Sequence, residues 1–568
     1  ALFLELNRKT SQLMKKIFSL ITFLLLFSAC GSQDKMITTA TETSNIETSS
    51  RPKLVVGIVV DQMRYDYLTR FQSKFSEGGF KRMMREGFNC KNNHFNYVPT
   101  YTGPGHASIY TGTTPKYHGI IGNNWYDKYT KQMVYCAQDD NVKSVGTQDD
   151  AGKMSPNRMQ TTTFGDENRL FTQMQGKTIG VSLKDRGAIL PAGHTANAAY
   201  WFHGKEEGVW ISSSFYMNEL PKWVRGFNTS DTAESYLKVW NTLYDISTYS
   251  ESGVDDNTFE GGFSGKEKAT FPYDLAALSK DNRGFDILKA TPYGNSLTAD
   301  FAMAAINGEQ LGKDSFTDVL TVSFSSTDYV GHNFGVNSKE VEDTYIRLDK
   351  DLERFFKYLD ETIGEGEYTV FLTADHGAID VPNYLRSLRI PAGYIDNKAT
   401  KTRFDEYLLR KYKYSKLVEN ISNNQIFLNR SYIDSLGLDI KTISEALVNE
   451  LITYERVDKV YSAHTMRTAN FTTGIEEKLQ NGFSQKRSGD IIIVPDPDYI
   501  SYGRTGSTHG SGLNHDTHVP LLFFGKGIER GETYNKTVIP DIAPTISALL
   551  GISFPNGATG SVLGFVID

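Results

Sequence analysis

Cysteine is scarce in this chain. The 568 residues include 3 cysteines, and only Cys90 and Cys136 follow the N-terminal segment. Neither has the spacing of a cysteine metal ligand. In an oxidising compartment the two thiols could form a disulfide, and two buried free thiols agree with the sequence equally well.

Runs of basic residues are missing as well. The net charge is -7, the pI is about 6.0, and lysine and arginine cluster only in short local pairs. The sequence therefore does not indicate a nucleic-acid-binding surface. With 39% hydrophobic and 22% charged residues, the composition is that of a folded protein with a large core.

The apolar run near the N-terminus is too short to cross a bilayer. IFSLITFLLLFSA follows Lys15 and Lys16, whereas a transmembrane helix needs about 20 apolar residues. A positively charged start and a short apolar run predict an export signal over residues 14–30. FSAC resembles a bacterial lipoprotein cleavage site, in which Cys30 becomes the lipidated first residue. The alternative is ordinary signal cleavage, which would release a soluble periplasmic protein.

Two segments flank this signal. Residues 1–13 precede Met14 and are interpreted as a mis-called start. Residues 31–50 are rich in serine and threonine and predict a flexible tether. We therefore expect an exported, periplasmic protein with its folded body over residues 51–568 and a lipid anchor as its membrane contact. The sequence carries no signal for an oligomeric state.

Three apolar segments resemble buried parallel strands that end near an acidic residue. They are KLVVGIVVD, DVLTVSFSSTD and YTVFLTAD. Helical segments such as residues 338–360 separate them, so we predict an α/β fold with a doubly wound, mostly parallel sheet flanked by helices. Ligands of such sheets bind beyond the carboxyl ends of the strands. We therefore expect Asp61, Asp328 and Asp375 to converge on one crevice.

Two stretches interrupt this alternation. Residues 140–290 are rich in Gly, Asn, Ser and aromatic residues, and we interpret them as a cap over the crevice. Residues 400–500 combine NQIFLNR, DIKTISEALVNELI and DIIIVP, which predicts a small α+β insertion. After Pro520, LLFFG and DIAPTISALLGI predict a last strand and helix that close the sheet.

The segment YVPTYTGPGHAS places unusual backbone constraints around Thr102. One proline stands three residues before it, and Gly-Pro-Gly follows it directly. Proline fixes φ and glycine permits angles closed to other residues, so the segment predicts a sharp turn with Thr102 at its tip. The alternative is that Thr102 caps a helix that begins in HASIYTG.

Six potential metal ligands lie at the predicted strand ends or in adjoining loops. They are Asp61, Asp328, His332, Asp375, His376 and His509. Mixed nitrogen and oxygen donors of this kind suit zinc with open positions for a substrate. His515 and His518 lie close to His509 in the sequence and are the competing candidates for its position.

The order of these residues resembles the two-zinc branch of the alkaline phosphatase superfamily. The resemblance covers about residues 51–568 and includes PKYHGIIGNNWYD and DIAPTISALLG. It implies one zinc ion held by Asp328, His332 and His509, of which His509 stands in the HGS form of the family ligand. It implies a second zinc ion held by Asp61, Asp375 and His376, with Thr102 as nucleophile and further ligand beside it.

A zinc ion would give the constrained backbone around Thr102 a chemical role. A divalent cation lowers the pKa of a bound oxygen by many units, so Thr102 could be held as an alkoxide at neutral pH. In-line attack on phosphorus would form a covalent phosphothreonine. The other zinc would stabilise the leaving oxygen and then activate the water that hydrolyses the intermediate.

Within this branch the chain resembles the phosphate-insensitive, broad-specificity alkaline phosphatases of the PafA type. The resemblance implies that Lys184, Arg186 and Asn123 bind the nonbridging phosphoryl oxygens, with Asn124 as the near alternative to Asn123. Lys184 and Arg186 are two residues apart, which places them on one side of an extended segment. Arginine can bind two oxygens at once and lysine adds a point charge.

We therefore expect hydrolysis of small phosphate monoesters, with release of inorganic phosphate and an alcohol and broad tolerance of the leaving group. Three aspartates and an alkoxide balance two zinc ions, so a dianionic monoester needs the further positive charge of Lys184 and Arg186. Two alternatives stay open. One is a phosphodiesterase or nucleotide pyrophosphatase, and the other is a non-catalytic, lipid-anchored phosphate- or zinc-binding protein.

Overall fold

The central sheet is built on the three apolar segments that the sequence marks as buried strands. The computed structural model describes residues 51–414 and 416–567. In it, LVVGIVV, DVLTVSF and YTVFLT form three adjacent parallel strands, and every residue of them is buried. Leu54 pairs with Asp318 on one side and with Tyr368 on the other.

The strands of the described residues are, in chain order, β1 Leu54–Val60, β2 Phe88–His94, β3 Asn124–Asp127, β4 Gln132–Tyr135, β5 Ser144–Val145, β6 Thr178–Ser182, β7 Ala198–His203, β8 Val209–Ser213, β9 Val239–Trp240, β10 Tyr273–Asp274, β11 Asp318–Phe324, β12 Tyr368–Thr373, β13 Gly393–Tyr394, β14 Val418–Ser422, β15 Gln425–Leu428, β16 Val457–Ser462, β17 Ile491–Pro495, β18 Tyr499–Ile500, β19 Leu521–Gly525 and β20 Gly531–Val538.

The α-helices of the same residues are α1 Tyr67–Arg70, α2 Phe80–Glu86, α3 Thr102–Thr111, α4 Pro115–His118, α5 Phe164–Phe171, α6 Asp185–Ala192, α7 Lys222–Asn228, α8 Thr232–Ser235, α9 Leu275–Leu278, α10 Pro292–Gly308, α11 Ser326–Phe334, α12 Lys339–Leu359, α13 Pro382–Ser387, α14 Asn397–Tyr412, α15 Arg430–Ser435, α16 Ile440–Leu451, α17 Ala463–Thr468, α18 Gly474–Gly482, α19 Asn514–Thr517 and α20 Ile542–Leu550.

The main sheet has ten strands in the order β20-β2-β19-β12-β1-β11-β6-β7-β8-β5. The five strands from β12 to β7 run parallel to their neighbours. Antiparallel pairs flank them, formed by β19 with β12 and by β8 with β7. The predicted α/β fold with a mostly parallel sheet is confirmed, and helices such as α12 cover it. Residues 338–360, predicted to be helical, form that helix with an apolar face that includes Leu348, Leu352 and Phe355.

The region expected to form a cap contributes four strands, β5 to β8, to the main sheet. The segment TIGVS in β6 is fully buried and pairs with β11. These strands are short, and small or polar residues interrupt their apolar pattern, so periodicity alone does not mark them. The irregular part of the region follows β8.

Residues 400–500 form a separate four-stranded antiparallel sheet, in the order β14-β15-β17-β16. Helices α14 and α16 pack on it around an apolar cluster that includes Leu408, Ile426, Leu447 and Ile491. LLFFG forms β19 and IAPTISALL forms α20. Cys90 and Cys136 are both buried and free, which is the second of the two alternatives.

The predictions for the N-terminal region lie outside the described residues. They concern the mis-called start, the signal over 14–30, the lipidation of Cys30 and the tether over 31–50. Among the residues that are described, no helix combines the length and apolarity needed to cross a membrane.

Candidate active site

The site lies where four neighbouring parallel strands end. Asp61 follows β1 directly, Asp375 follows β12 by two residues, and Asp328 lies in the first turn of α11, just after β11. Lys184 follows β6 at the start of α6. Because β12, β1, β11 and β6 are consecutive in the sheet, their carboxyl ends form one edge and bring these side chains together.

Lys184 lies among the carboxylates. Its Nζ is 2.7 Å from Asp61 Oδ2 and 2.5 Å from Asp328 Oδ2, and the residue is only 4% exposed. The ring nitrogen Nε2 of His376 lies 3.5 Å from Asp61 Oδ1 and from Asp375 Oδ2. The structure thus brings all three predicted aspartates into one buried cluster.

The three predicted imidazoles share one hydrogen-bonding arrangement. Nδ1 of His332 donates to Ser507 O at 2.7 Å, Nδ1 of His376 to Gly377 O at 2.9 Å, and Nδ1 of His509 to Thr100 O at 2.7 Å. A carbonyl only accepts, so each Nδ1 carries a proton, and in the neutral form of each ring Nε2 keeps a free lone pair. A backbone carbonyl on the outer nitrogen is the usual support of a metal-binding histidine.

The free Nε2 atoms face the carboxylates. Nε2 of His332 is 3.2 Å and Nε2 of His509 is 3.7 Å from Asp328 Oδ1. Two groups of donor atoms are close enough to hold a metal ion: Asp328 with His332 and His509, and Asp61 with Asp328 and His376. The first is the predicted set. The second contains Asp328 where Asp375 was predicted, although Asp375 is as near to His376 as Asp61 is.

The buried donor atoms fit a metal ion. Oδ1 of Asp61 and Oδ2 of Asp375 are buried and have no hydrogen-bond partner. Burying an unpaired carboxylate oxygen is costly unless it is paired or coordinates a metal. Together with three free imidazole lone pairs, these atoms form the mixed nitrogen and oxygen set that divalent transition metals prefer.

Burial and neighbouring charges shift the pKa values of the clustered residues in different directions. Burial and the neighbouring charge of Asp375 raise the pKa of Asp61 well above its usual range. Burial also opposes ionisation of Asp328, but His332 and Lys184 outweigh it and hold the pKa of Asp328 well below its usual range. Burial lowers the pKa of His376 and of His509. Neutral imidazole is the form that binds metals.

Thr102 is the first residue of α3, so the predicted sharp turn with Thr102 at its tip is wrong. Proline is tolerated in the first turn of a helix, where its missing N–H has no intrahelical partner, and Pro104 therefore extends the helix instead of ending it. The alternative of a helix cap is also wrong, because Tyr101 occupies the cap position and the Thr102 side chain makes no capping bond. Instead, Thr102 Oγ1 lies 3.4 Å from His376 Nε2.

Gly105 allows α3 to approach the site. A Cβ atom at this position would lie 2.2 Å from the backbone oxygen of Asp375. No side chain fits at that distance, so the glycine sets how close the helix that carries Thr102 comes to the strand end that carries Asp375.

The structure places all four candidate phosphate ligands. Asn123 Oδ1 accepts a hydrogen bond of 2.7 Å from Gly103 N, beside Thr102, whereas Asn124 is exposed in β3. Lys184 and Arg186 do not lie on an extended segment, because α6 begins at Asp185. Arg186 Nη1 donates to Tyr135 Oη at 3.1 Å, and its Nε is buried without a partner.

Sequence reasoning missed two residues of this cluster. Gln62 donates from Nε2 to Asp328 Oδ1 at 2.7 Å and from its backbone N to Asp375 Oδ1 at 3.1 Å. His106 Nδ1 donates to Thr102 O at 2.9 Å and lies 3.3 Å from Asp375 Oδ2. The four-residue spacing of Thr102 and His106 would have indicated this contact, had the segment been predicted as a helix.

The competing histidines lie elsewhere. His518 Nε2 donates to Lys91 O at 2.9 Å, and its ring stacks on those of Tyr65 and His94. His515 belongs to neither group of metal donors. Of the three candidates, His509 is the one in the cluster.

The fold and the cluster define an α/β protein with a candidate metal-binding site at the carboxyl edge of its sheet. The family is identified by its sequence. The chain belongs to the type I phosphodiesterase / nucleotide pyrophosphatase family, whose model matches residues 55–519. This family lies in the alkaline phosphatase superfamily, as predicted.

Several relatives match nearly the whole chain. A protein of Myroides odoratus named calcium-transporting ATPase is 45% identical over 92% of this chain and 96% of its own length. Alkaline phosphatase PhoV of Synechococcus elongatus is 44% identical over 91% of this chain and 93% of its own length. Alkaline phosphatase PafA of Elizabethkingia meningoseptica is 44% identical over 91% and 95%. The crystal structure of wild-type PafA superposes with a TM-score of 0.88 and covers 91% of this chain and 99% of that one.

Proposed function

We propose that this protein is an alkaline phosphatase that hydrolyses phosphate monoesters through a phosphothreonine formed on Thr102, at a site for two zinc ions. The observation that carries the proposal is the buried Thr102 hydroxyl beside His376, at the edge of a cluster of three carboxylates and three imidazoles. The relatives named alkaline phosphatases, at 44% identity over most of the chain, support a phosphatase enzyme.

Asp61, Asp328 and His376 would hold one ion beside Thr102. Asp328, His332 and His509 would hold the other. When bound, zinc would supply the positive charge that lowers the pKa of a threonine hydroxyl and stabilises the leaving oxygen. The first turn of α3 holds Thr102 at the positive end of the helix dipole, which favours negative charge there. Asn123 fixes Gly103 N and thereby the backbone next to the nucleophile. Attack by Thr102 Oγ1 forms the bond to phosphorus as the ester P–O bond breaks, and the leaving oxygen takes up one proton in exchange for the proton lost by the Thr102 hydroxyl. Attack of water on the phosphothreonine then releases inorganic phosphate and restores that hydroxyl.

Charge favours monoesters over diesters. A monoester dianion carries one more negative charge than the matching diester. Lys184 and Arg186 follow β6 at the same edge of the sheet, and the buried, unpartnered Nε of Arg186 is a donor without an acceptor. A half-buried guanidinium with an unpaired donor is suited to bind phosphoryl oxygens. A second alkyl group on a diester would displace one of those oxygens.

Phosphodiester hydrolysis is the second candidate, because the family model takes its description from phosphodiesterases and nucleotide pyrophosphatases. One experiment distinguishes three candidates: a phosphomonoesterase, a phosphodiesterase and a non-catalytic binding protein. An aryl phosphate and its methyl diester are assayed with purified protein before and after chelation, and the zinc content is measured. We expect about two zinc ions per chain, a strong preference for the monoester, and loss of activity on chelation that zinc restores.

Three results would contradict the proposed zinc-dependent hydrolysis of phosphate monoesters. A preference for the diester would favour the phosphodiesterase, full activity without metal would exclude the metal mechanism, and no turnover of either ester would favour a binding protein.

We also propose that the protein is exported to the periplasm and anchored through lipid on Cys30. The support is the sequence of residues 14–30. Cys30→Ser should release the protein from the membrane fraction of the expressing bacterium, whereas an unchanged distribution would exclude the anchor.

A further inference from the structure

Within the part of the chain that the structure describes, His332 is the most solvent-exposed member of the donor cluster. Among its six donor residues, the side chain of His332 is 26% exposed, whereas the side chains of the other five are at most 6% exposed. His332 belongs to the donor group of Asp328 and His509, whereas His376, the histidine beside Thr102, belongs to the other group. In an in-line displacement the leaving group departs opposite the nucleophile. If Thr102 attacks from the His376 side, the leaving alcohol faces the opening at His332.

Tyr502 stands at that opening. Its ring stacks on the imidazole of His332, with centroids 5.7 Å apart and an angle of 27° between the planes. Its hydroxyl donates to His332 O at 3.3 Å, which fixes the orientation of the ring. The side chain nevertheless remains 41% exposed. An aromatic ring held rigidly beside a buried polar site offers a stacking surface at a low cost in conformational entropy.

The segment that carries Tyr502 is fastened on both sides. Before it, β18 pairs with β13. After it, Gly506 has a φ of +72°, and a Cβ there would lie 2.0 Å from His332 O. Ser507 N donates to that same oxygen at 3.2 Å. The ring therefore keeps its place relative to His332.

We propose that Tyr502 forms a leaving-group subsite that favours phosphate monoesters whose alcohol carries a planar aromatic group, such as nucleoside monophosphates. This inference rests on the proposed phosphatase function. Stacking of a base on an aromatic side chain is tolerant of the base, because every base has a π face. Tyr502 is thus a specificity residue, and the chemistry remains with the residues of the cluster.

The test compares adenosine 5′-monophosphate with ribose 5-phosphate, because both release a primary alcohol and differ only at the anomeric carbon, which carries adenine in the first and a hydroxyl in the second. We expect wild type to have the higher kcat/KM for the nucleotide. Tyr502→Leu should reduce the ratio of the two kcat/KM values about tenfold, which corresponds to about 1.4 kcal/mol. Tyr502→Phe should keep the ratio, since it retains the ring, and Tyr502→Trp should raise it.

The matched control is Tyr534→Leu, which removes a tyrosine that is 71% exposed in β20 and should leave the ratio unchanged. Equal losses on both substrates in Tyr502→Leu would show that the ring only supports His332 and would overturn the subsite. If that variant fails to fold, a ratio unaltered in Tyr502→Trp would overturn it as well. If wild type hydrolyses neither ester, the proposed function is wrong, and this result is distinct from hydrolysis of both with an insensitive ratio.

Discussion

Thr102 occupies a position that neither of its ordinary roles explains. It opens α3 without capping it, and its hydroxyl faces a histidine whose other nitrogen is fixed by Gly377 O. The residue is 1% exposed. A buried hydroxyl aimed at a cluster of metal donors has a chemical use, whereas a helix of ten residues with no side-chain cap does not need threonine there.

We expect Thr102→Ala to lower kcat/KM for a phosphate monoester by several orders of magnitude, since the attacking oxygen is lost. Thr102→Ser should keep part of the activity. Zinc content and melting temperature should stay near those of wild type, because no cap is removed. Near-normal turnover in the alanine variant would remove Thr102 from the mechanism.

Lys184→Ala combined with Arg186→Ala removes both cations that would bind the extra negative charge of a monoester. The preference for a monoester over its matching diester should shrink by at least about 10²-fold, or about 2.7 kcal/mol of differential transition-state binding. Because Lys184 also contacts Asp61 and Asp328, zinc content must be measured alongside. The control is Lys401→Ala with Arg410→Ala on the exposed side of α14. Equal losses on both substrates would show that the pair supports only the fold.

At the scale of elements, the close approach of α3 to the strand end of β12 decides where the nucleophile lies. A helix normally lies too far from a neighbouring backbone for direct contact, because side chains separate them. Gly105 removes that separation at one point, and His106, the next residue, reaches Asp375 and Ser323 from the same turn.

Gly105→Ala should therefore displace the first turn of α3. A clash with a backbone oxygen cannot be relieved by a rotamer change, and we expect a loss of about 1–3 kcal/mol in the free energy of unfolding together with at least a tenfold loss in kcat. The control is Gly226→Ala in α7, where an added Cβ meets nothing within 4 Å. That variant should be unchanged or stabilised by up to about 1 kcal/mol. Equal behaviour of the two variants would contradict the argument.

For the whole molecule, buried carboxyl groups away from the site link stability to pH. Glu340, in the first turn of α12, is fully buried and accepts a hydrogen bond of 2.6 Å from Tyr273 Oη. Burial raises the pKa of Glu340 from 4.5 to about 8, although the Tyr273 hydrogen bond opposes the rise. The folded state thus retains a proton that the unfolded chain loses. The contribution of protonated Glu340 to the free energy of unfolding is fully present below pH 4.5 and is lost as the pH rises through about 8.

We expect Glu340→Gln to reduce the fall in melting temperature between about pH 5 and pH 9, because glutamine stays neutral and can still accept from Tyr273. Thermal unfolding of both proteins at a fixed zinc concentration measures this. Glu361→Gln, at an exposed position after the same helix, is the control. The same pH dependence in wild type and Glu340→Gln would exclude this role for the buried carboxyl group.

The sequence alone determined the central strands and the nature of the site. Apolar runs that end near an acid predict buried parallel strands, and the geometry of parallel sheets then requires Asp61, Asp328 and Asp375 to meet. The sequence motifs also supplied the family and all six candidate donors, since residue type and order persist without coordinates. Strands β5 to β8 escaped prediction because short segments with small and polar residues have little periodic signal.

Only the tertiary structure decided how these groups are arranged. Local rules predicted a turn at Thr102, but packing against Asp375 allows the Gly-Pro-Gly segment to form the first turn of α3. The orientation of each imidazole depends on carbonyls of Ser507, Gly377 and Thr100, and two of these lie more than a hundred residues away in the chain. The contacts of Lys184 with two carboxylates and the position of Tyr502 over His332 arise in the same way. Such contacts join distant segments, and a linear pattern contains no information on which side chains a fold brings within 3 Å of one another.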